Sequence, residues 1–83
     1  MKKYRPMFRM GQIVSMTEDA IDNYGEQYRD IPFKIIYQAT SKKEHPGYDD
    51  GVSGMGLYDL VFYENNKPFG FSLYDWELQK YYK

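Results

Sequence analysis

The chain has 83 residues, no cysteine, 42% hydrophobic and 28% charged side chains, and a net charge of −1. That length makes one domain spanning residues 1–83, and the missing cysteines exclude disulfides, thiolate nucleophiles and cysteine-held zinc. No apolar run nears the roughly 20 residues that span a bilayer, and Met1-Lys2-Lys3-Tyr4-Arg5-Pro6 leads into no apolar signal core, so a cytoplasmic location is expected.

Residues 1–9 hold Lys2, Lys3, Arg5 and Arg9 and no acid, a charge of +4 beside a body of −5. Arg5-Pro6 favours extended backbone, so this stretch reads as a basic arm. Met10–Met16 reads as a turn at Gly11 feeding a short strand with β-branched Ile13 and Val14. Thr17 can cap a helical turn or two that carries Glu18 and Asp19 in its first turn and stops at Gly25. Ile21 and Tyr24 then share a face.

Ile31–Thr40 is the strongest strand. Phe33, Ile35 and Tyr37 are expected on one face, and Lys34, Ile36 and Gln38 on the other. Ser41–Gly54 is a long polar loop, a length that in small domains often marks function. Leu57–Tyr63 is apolar on both faces, as suits a central strand or one curved through a barrel. Glu64-Asn65-Asn66-Lys67-Pro68 reads as a hairpin turn, and Phe69-Gly70-Phe71 as the returning strand with both rings on one face. Ser72–Asp75 reads as a tight turn. Trp76–Tyr82 follows as a last strand with Trp76 and Leu78 together, a terminal helix being the alternative.

Ten tyrosines, five phenylalanines and one tryptophan suit a short chain that must fill its core economically. Short strands of this kind protect their edges by closing up, so a mostly β, five-stranded small barrel with a short helical insert and a long loop is expected. Phe8-Arg9-Met10-Gly11-Gln12-Ile13-Val14 resembles the first strand of SH3-like small β-barrels, including the KOW-like and phage or mobile-element accessory types. Phe71-Ser72-Leu73-Tyr74-Asp75-Trp76-Glu77-Leu78 resembles their tight helical turn and final strand. Asp30-Ile31-Pro32-Phe33 stands where KOW-type barrels carry a glycine, which turns the reading away from ribosome or polymerase association. The resemblance implies a binding module, of nucleic acid or of protein.

Chemistry-bearing motifs are few. Glu44, His45, Asp49 and Asp50 lack calcium-loop spacing and a second histidine, so no metal site is expected. Ser41, Ser53 and Ser72 lack a nucleophile context, and Gly51, Gly54 and Gly56 lack the lysine and helix of a phosphate loop. The expectation is a non-enzymatic module without cofactor. Its partner is read as a protein, bound through the loop residues His45, Tyr48, Asp49 and Asp50, with Tyr48 at the tip having the least structural reason to be aromatic. Asp19, Asp22, Glu26, Asp30, Asp49 and Asp50 would form an acidic surface, as in a phage-type inhibitor that mimics a phosphate backbone. The alternative is nucleic acid held by Lys2, Lys3, Tyr4, Arg5, Phe8 and Arg9, where cations meet phosphates and rings meet bases, with Lys34, Lys42 and Lys43 extending the patch.

Overall fold

The computed structural model describes residues 7–49 and 55–81. Five antiparallel strands form one sheet: β1 (Ile13–Met16), β2 (Phe33–Ala39), β3 (Leu57–Phe62), β4 (Pro68–Tyr74) and β5 (Leu78–Lys80). They lie in the order β4-β3-β2-β1-β5. The sheet is open, with β4 and β5 as its edges and no ladder between them, so the closure expected from the strand count is not made in its hydrogen bonds. Among the described residues no helix is long and apolar enough to cross a membrane.

Each local element follows from its residues. Gly11 takes φ 85°, a left-handed value that suits glycine, and turns the chain into β1. The helix α1 (Glu18–Tyr24) opens at Thr17, whose Oγ1 accepts the Ala20 N–H at 3.4 Å. The same hydroxyl donates to the Trp76 carbonyl at 3.1 Å, and the Thr17 N–H donates to the Glu77 carbonyl at 3.0 Å. The cap therefore also fastens α1 to the short 3-10 turn Asp75–Glu77. Gly25 ends α1 at φ 125° and ψ 152°, where a side chain is strained. Arg29, just past the 3-10 turn Glu26–Tyr28, donates to both Glu18 and Glu26. These bonds hold both carboxyls below the usual range and raise the guanidinium.

Strand β3 lies between β2 and β4, as its two apolar faces require. On the core face, α1 lays Ala20 and Ile21 against Val14, Phe33, Ile35, Tyr58, Leu60, Leu73 and Leu78, all buried. A ring cluster extends this core, with Phe33 5.0 Å from Phe62, 5.2 Å from Phe69 and 6.4 Å from Tyr28. Phe69 and Phe71 share a face, their centroids 5.7 Å apart. Burying a phenylalanine the size of Phe33 contributes about 2–3 kcal/mol, so the aromatic content is what supports so short a chain.

Beneath Phe8 runs a buried polar chain. The Phe8 N–H donates to the Tyr58 hydroxyl at 3.2 Å, which donates to Asp75 Oδ1 at 2.6 Å. Asp75 Oδ2 accepts the Gly56 N–H at 2.9 Å. Burial pushes the Asp75 carboxyl up, opposed by its bonds to backbone N–H groups. Glu77 is also buried and raised, and it accepts the Tyr74 N–H at 2.9 Å.

Two strand expectations are corrected. β2 carries a bulge between Ile35 and Tyr37, so Tyr37 leaves the face of Phe33 and Ile35 and stands with Ile36 on the opposite side. Ser72 is no turn residue: β4 runs through Tyr74, and the tight turn is Asp75–Glu77. Trp76 sits in that turn, 44% exposed, while Leu78 is buried at the start of β5, so the two do not share a face. The final element is strand, as preferred over helix.

Candidate functional site

The outer sheet face, away from α1, is built by the register of β3. Asp59 pairs across to Tyr37 on β2 and to Ser72 on β4, so the three side chains form a row. The bulge adds Ile36 to this row. One step along, Leu57 pairs with Ala39 and Tyr74 on the same face. Ala39 and Leu57 are buried there without belonging to the main core.

The loop from Ser41 covers this end. Glu44 turns back on Thr40, its Oε1 accepting the N–H at 2.8 Å and the hydroxyl at 3.0 Å, bonds that lower its carboxyl. The Tyr37 hydroxyl donates to the Glu44 carbonyl at 2.8 Å. Tyr48 is 2% exposed; its hydroxyl donates to the Met55 carbonyl at 2.6 Å and its ring stands 5.6 Å from Tyr74. The Asp49 N–H donates to the Tyr74 hydroxyl at 2.8 Å. The loop is a fitted cover, held by bonds worth about 0.5–1.5 kcal/mol each.

His45 is drawn down onto the row. Its Nδ1 accepts the Gly47 N–H at 2.9 Å. A backbone N–H can only donate, so the neutral ring carries its hydrogen on Nε2. Nε2 lies 2.8 Å from Asp59 Oδ1 and 3.1 Å from Ser72 Oγ, and the Ser72 hydroxyl donates to that same Asp59 oxygen. His, Asp and Ser together invite comparison with a nucleophilic triad. The geometry is different: a triad histidine faces its serine with an unprotonated nitrogen and its acid with the other one. Here serine and acid share the protonated nitrogen, so His45 takes no proton from Ser72. The three side chains, with Ile36, Leu60, Pro68, Gly70 and Phe71, line a cleft of about 330 Å³. Ile36, Tyr37 and Phe71 are 45%, 40% and 61% exposed.

Of the loop residues read as a protein contact, His45 thus reaches this cleft and Asp49 is exposed on the cover. Asp50 lies outside the described residues. Tyr48 is corrected: its ring is buried beside Tyr74, its hydroxyl is bonded to the Met55 carbonyl, and it is not presented to a partner. Of the basic arm, Lys2, Lys3, Tyr4 and Arg5 lie outside the described residues. Phe8 is also corrected, since at 3% exposure beside Tyr58, with centroids 5.6 Å apart, it has no face left for a base. Arg9 is exposed. Glu26, counted toward an acidic surface, is paired with Arg29. Glu44 and His45, weighed as metal ligands, are committed to Thr40 and to Asp59. Among the described residues no three acidic, histidine or cysteine side chains converge on an ion-sized site.

Sequence reasoning does not single out Asp59 or Ile36, and it weighs Ser72 only as a nucleophile. One signal was present: Asp59 is the lone acid within the apolar run Leu57–Tyr63. A second apolar cleft, about 360 Å³, is lined by Ile13, Pro32, Tyr63 and Tyr81. Comparison of the chain with protein-family models, with curated proteins and with solved structures gave no match.

Proposed function

We propose that this chain is a non-catalytic binding module of the SH3-like small-barrel type, which docks onto a protein through the outer face of its sheet at the His45 cleft. The observation that carries the reading is the β2 bulge. It places Ile36 and Tyr37 consecutively on the solvent side, half exposed, in the middle of a sheet whose other large apolar side chains are mostly buried. Bulges cost ladder bonds and re-aim side chains, and contiguous exposed apolar surface suits an interface. The spent hydrogen on His45 Nε2 supports the non-catalytic part. The glycine turn before β1 and the 3-10 turn feeding β5 support the barrel type, as does a three-strand meander flanked by β1 and then β5.

The test is capture of partners on the immobilised chain, with and without nuclease, comparing wild type with Ile36→Ser and with Tyr63→Ser in the other cleft. A protein that survives nuclease, is lost with Ile36→Ser and stays with Tyr63→Ser is the expected outcome. Retention abolished by nuclease and indifferent to Ile36 would transfer the function to the basic arm.

A further inference from the structure

His45 is the only histidine in the chain, and its side chain is 14% exposed. Both ring nitrogens are committed, to partners of opposite kind. Nε2 lies 2.8 Å from Asp59 Oδ1 on β3 and 3.1 Å from Ser72 Oγ on β4. Nδ1 accepts the Gly47 N–H at 2.9 Å. The backbone of the same stretch closes a turn, with the Tyr48 N–H donating to the His45 carbonyl at 3.1 Å across Pro46 and Gly47. A Cβ at position 47 would stand 3.0 Å from the ring Cε1 and 3.1 Å from Nδ1, so glycine is what lets the backbone come this close. The ring therefore holds the loop in two directions. One is down to the sheet, and the other is along the chain to the turn that carries Tyr48 and Asp49.

The two ties answer a proton in opposite ways. A carboxylate accepts, so Nε2–H serves Asp59 in either charge state, and serves it better when the ring is charged. A backbone N–H only donates, so Nδ1 meets Gly47 only while it is bare. Among the described residues that face the imidazole, Asp59 on β3 is the one carboxylate. Ser72 on β4 and Tyr37 on β2, whose ring centroid lies 6.2 Å away, bring no charge near neutrality. Along the loop, Glu44 turns its carboxylate to Thr40, and Lys42 reaches the Tyr48 carbonyl at 3.4 Å. Histidine is the side chain that ordinarily changes charge between about pH 5 and 8. We propose that His45 is a proton-operated latch on this loop. Neutral, it pins the turn at Gly47 and so steadies Tyr48 and Asp49 on Tyr74. Protonated, it lets go of Gly47 and keeps Asp59, so the turn loosens while the loop stays attached at His45.

The test is a titration of the isotopically labelled full chain from about pH 8 to about pH 5, followed by amide and imidazole-nitrogen NMR. At the alkaline end the ring is expected to carry its hydrogen on Nε2. On acidification the Gly47 amide proton should move upfield as it loses its acceptor, with the Tyr48 and Asp49 amides moving at the same midpoint as the ring. Nuclear Overhauser contacts from the His45 ring to Asp59 and Ser72 should persist throughout. His45→Gln takes no proton, so in that variant the amides at 47 to 49 should lose this movement. Four results would each overturn the latch. They are a hydrogen on Nδ1 at the alkaline end, a Gly47 amide that ignores protonation of the ring, loss of the ring's contacts to Asp59 on protonation, and the same movement surviving in a folded His45→Gln variant. In the last case the movement would belong to the buried carboxyls Asp75 and Glu77, both raised by burial, the second bonded to the Tyr74 N–H. The first three are read on the wild-type chain, so the decision does not hang on the variant folding. The titration uses no partner and decides the latch independently of the docking reading.

Discussion

Removing a single oxygen, by Tyr58→Phe, tests the buried polar chain. The ring of Tyr58 is 0% exposed, and phenylalanine fills the same space, so packing is conserved. Two bonds disappear: the donation to Asp75 Oδ1 at 2.6 Å and the acceptance of the Phe8 N–H at 3.2 Å. A bond to a carboxylate is worth about 1.5–3 kcal/mol, and a buried N–H left without an acceptor costs about 1–3 kcal/mol. The terms overlap, so a loss of about 2–4 kcal/mol is expected, out of a total of roughly 5–15 kcal/mol for a domain. Urea unfolding followed by far-UV circular dichroism and by Trp76 fluorescence measures it. At about 4–8 °C per kcal/mol for a domain this small, Tm should drop by at least about 8 °C. A double-mutant cycle with Asp75→Asn should return a coupling of about 1 kcal/mol or more, since the two groups touch. A loss under about 0.5 kcal/mol, or strict additivity in the cycle, would refute the account of this chain as a buried tie.

Further outcomes follow from other positions. Because burial raises the Asp75 carboxyl, the folded state holds its proton more firmly than the unfolded chain does, and the stability this brings is present in acid and lost as pH rises through the folded value. The stability gap between wild type and Asp75→Asn should therefore be widest near pH ~4 and shrink toward neutrality in urea titrations across that range; a constant gap would contradict the burial. Gly25→Ala forces a side chain into φ 125°, with its Cβ against Gln27 Oε1, and should cost about 1–3 kcal/mol by urea unfolding. Tyr48→Phe should lose about 1 kcal/mol with partner capture intact, whereas Tyr48→Ala should cost about 3–5 kcal/mol; capture abolished by Tyr48→Phe would restore Tyr48 as a contact.

What the chain reveals on reading depends on how local the cause is. The ends of α1 are legible because Thr17 and Gly25 act on their own neighbours, and β3 is legible as central because its apolar residues fall on both faces. The bulge at Ile36 is not, since the alternation Phe33, Ile35, Tyr37 runs on unbroken; the extra residue is decided by pairing with Leu60 and Asp59. Tyr48 looks idle in a polar loop because its ring neighbour, Tyr74, is supplied by a strand 26 positions further on. Phe8 looks like part of a basic arm because its neighbours are charged, while its burial is arranged by Tyr58, fifty positions on. The cleft escapes for the same reason: His45 meets residues 14 and 27 positions away, on two strands, and no spacing rule joins them.

The pairing of β1 with β5 has a kinetic consequence. Met16 opposes Leu78, and the cap of α1 leans on Trp76, a separation of 59 positions. A seven-residue helix does not hold itself together in water, so α1 waits for the end of the sheet to dock. Closing so long a loop must precede the contacts that reward it, which sets a slow clock for a small domain. The amides of α1 are then expected to gain protection last in pulsed hydrogen exchange, and β1, the earliest of the five strands in the sequence, to be among the last to find both its neighbours.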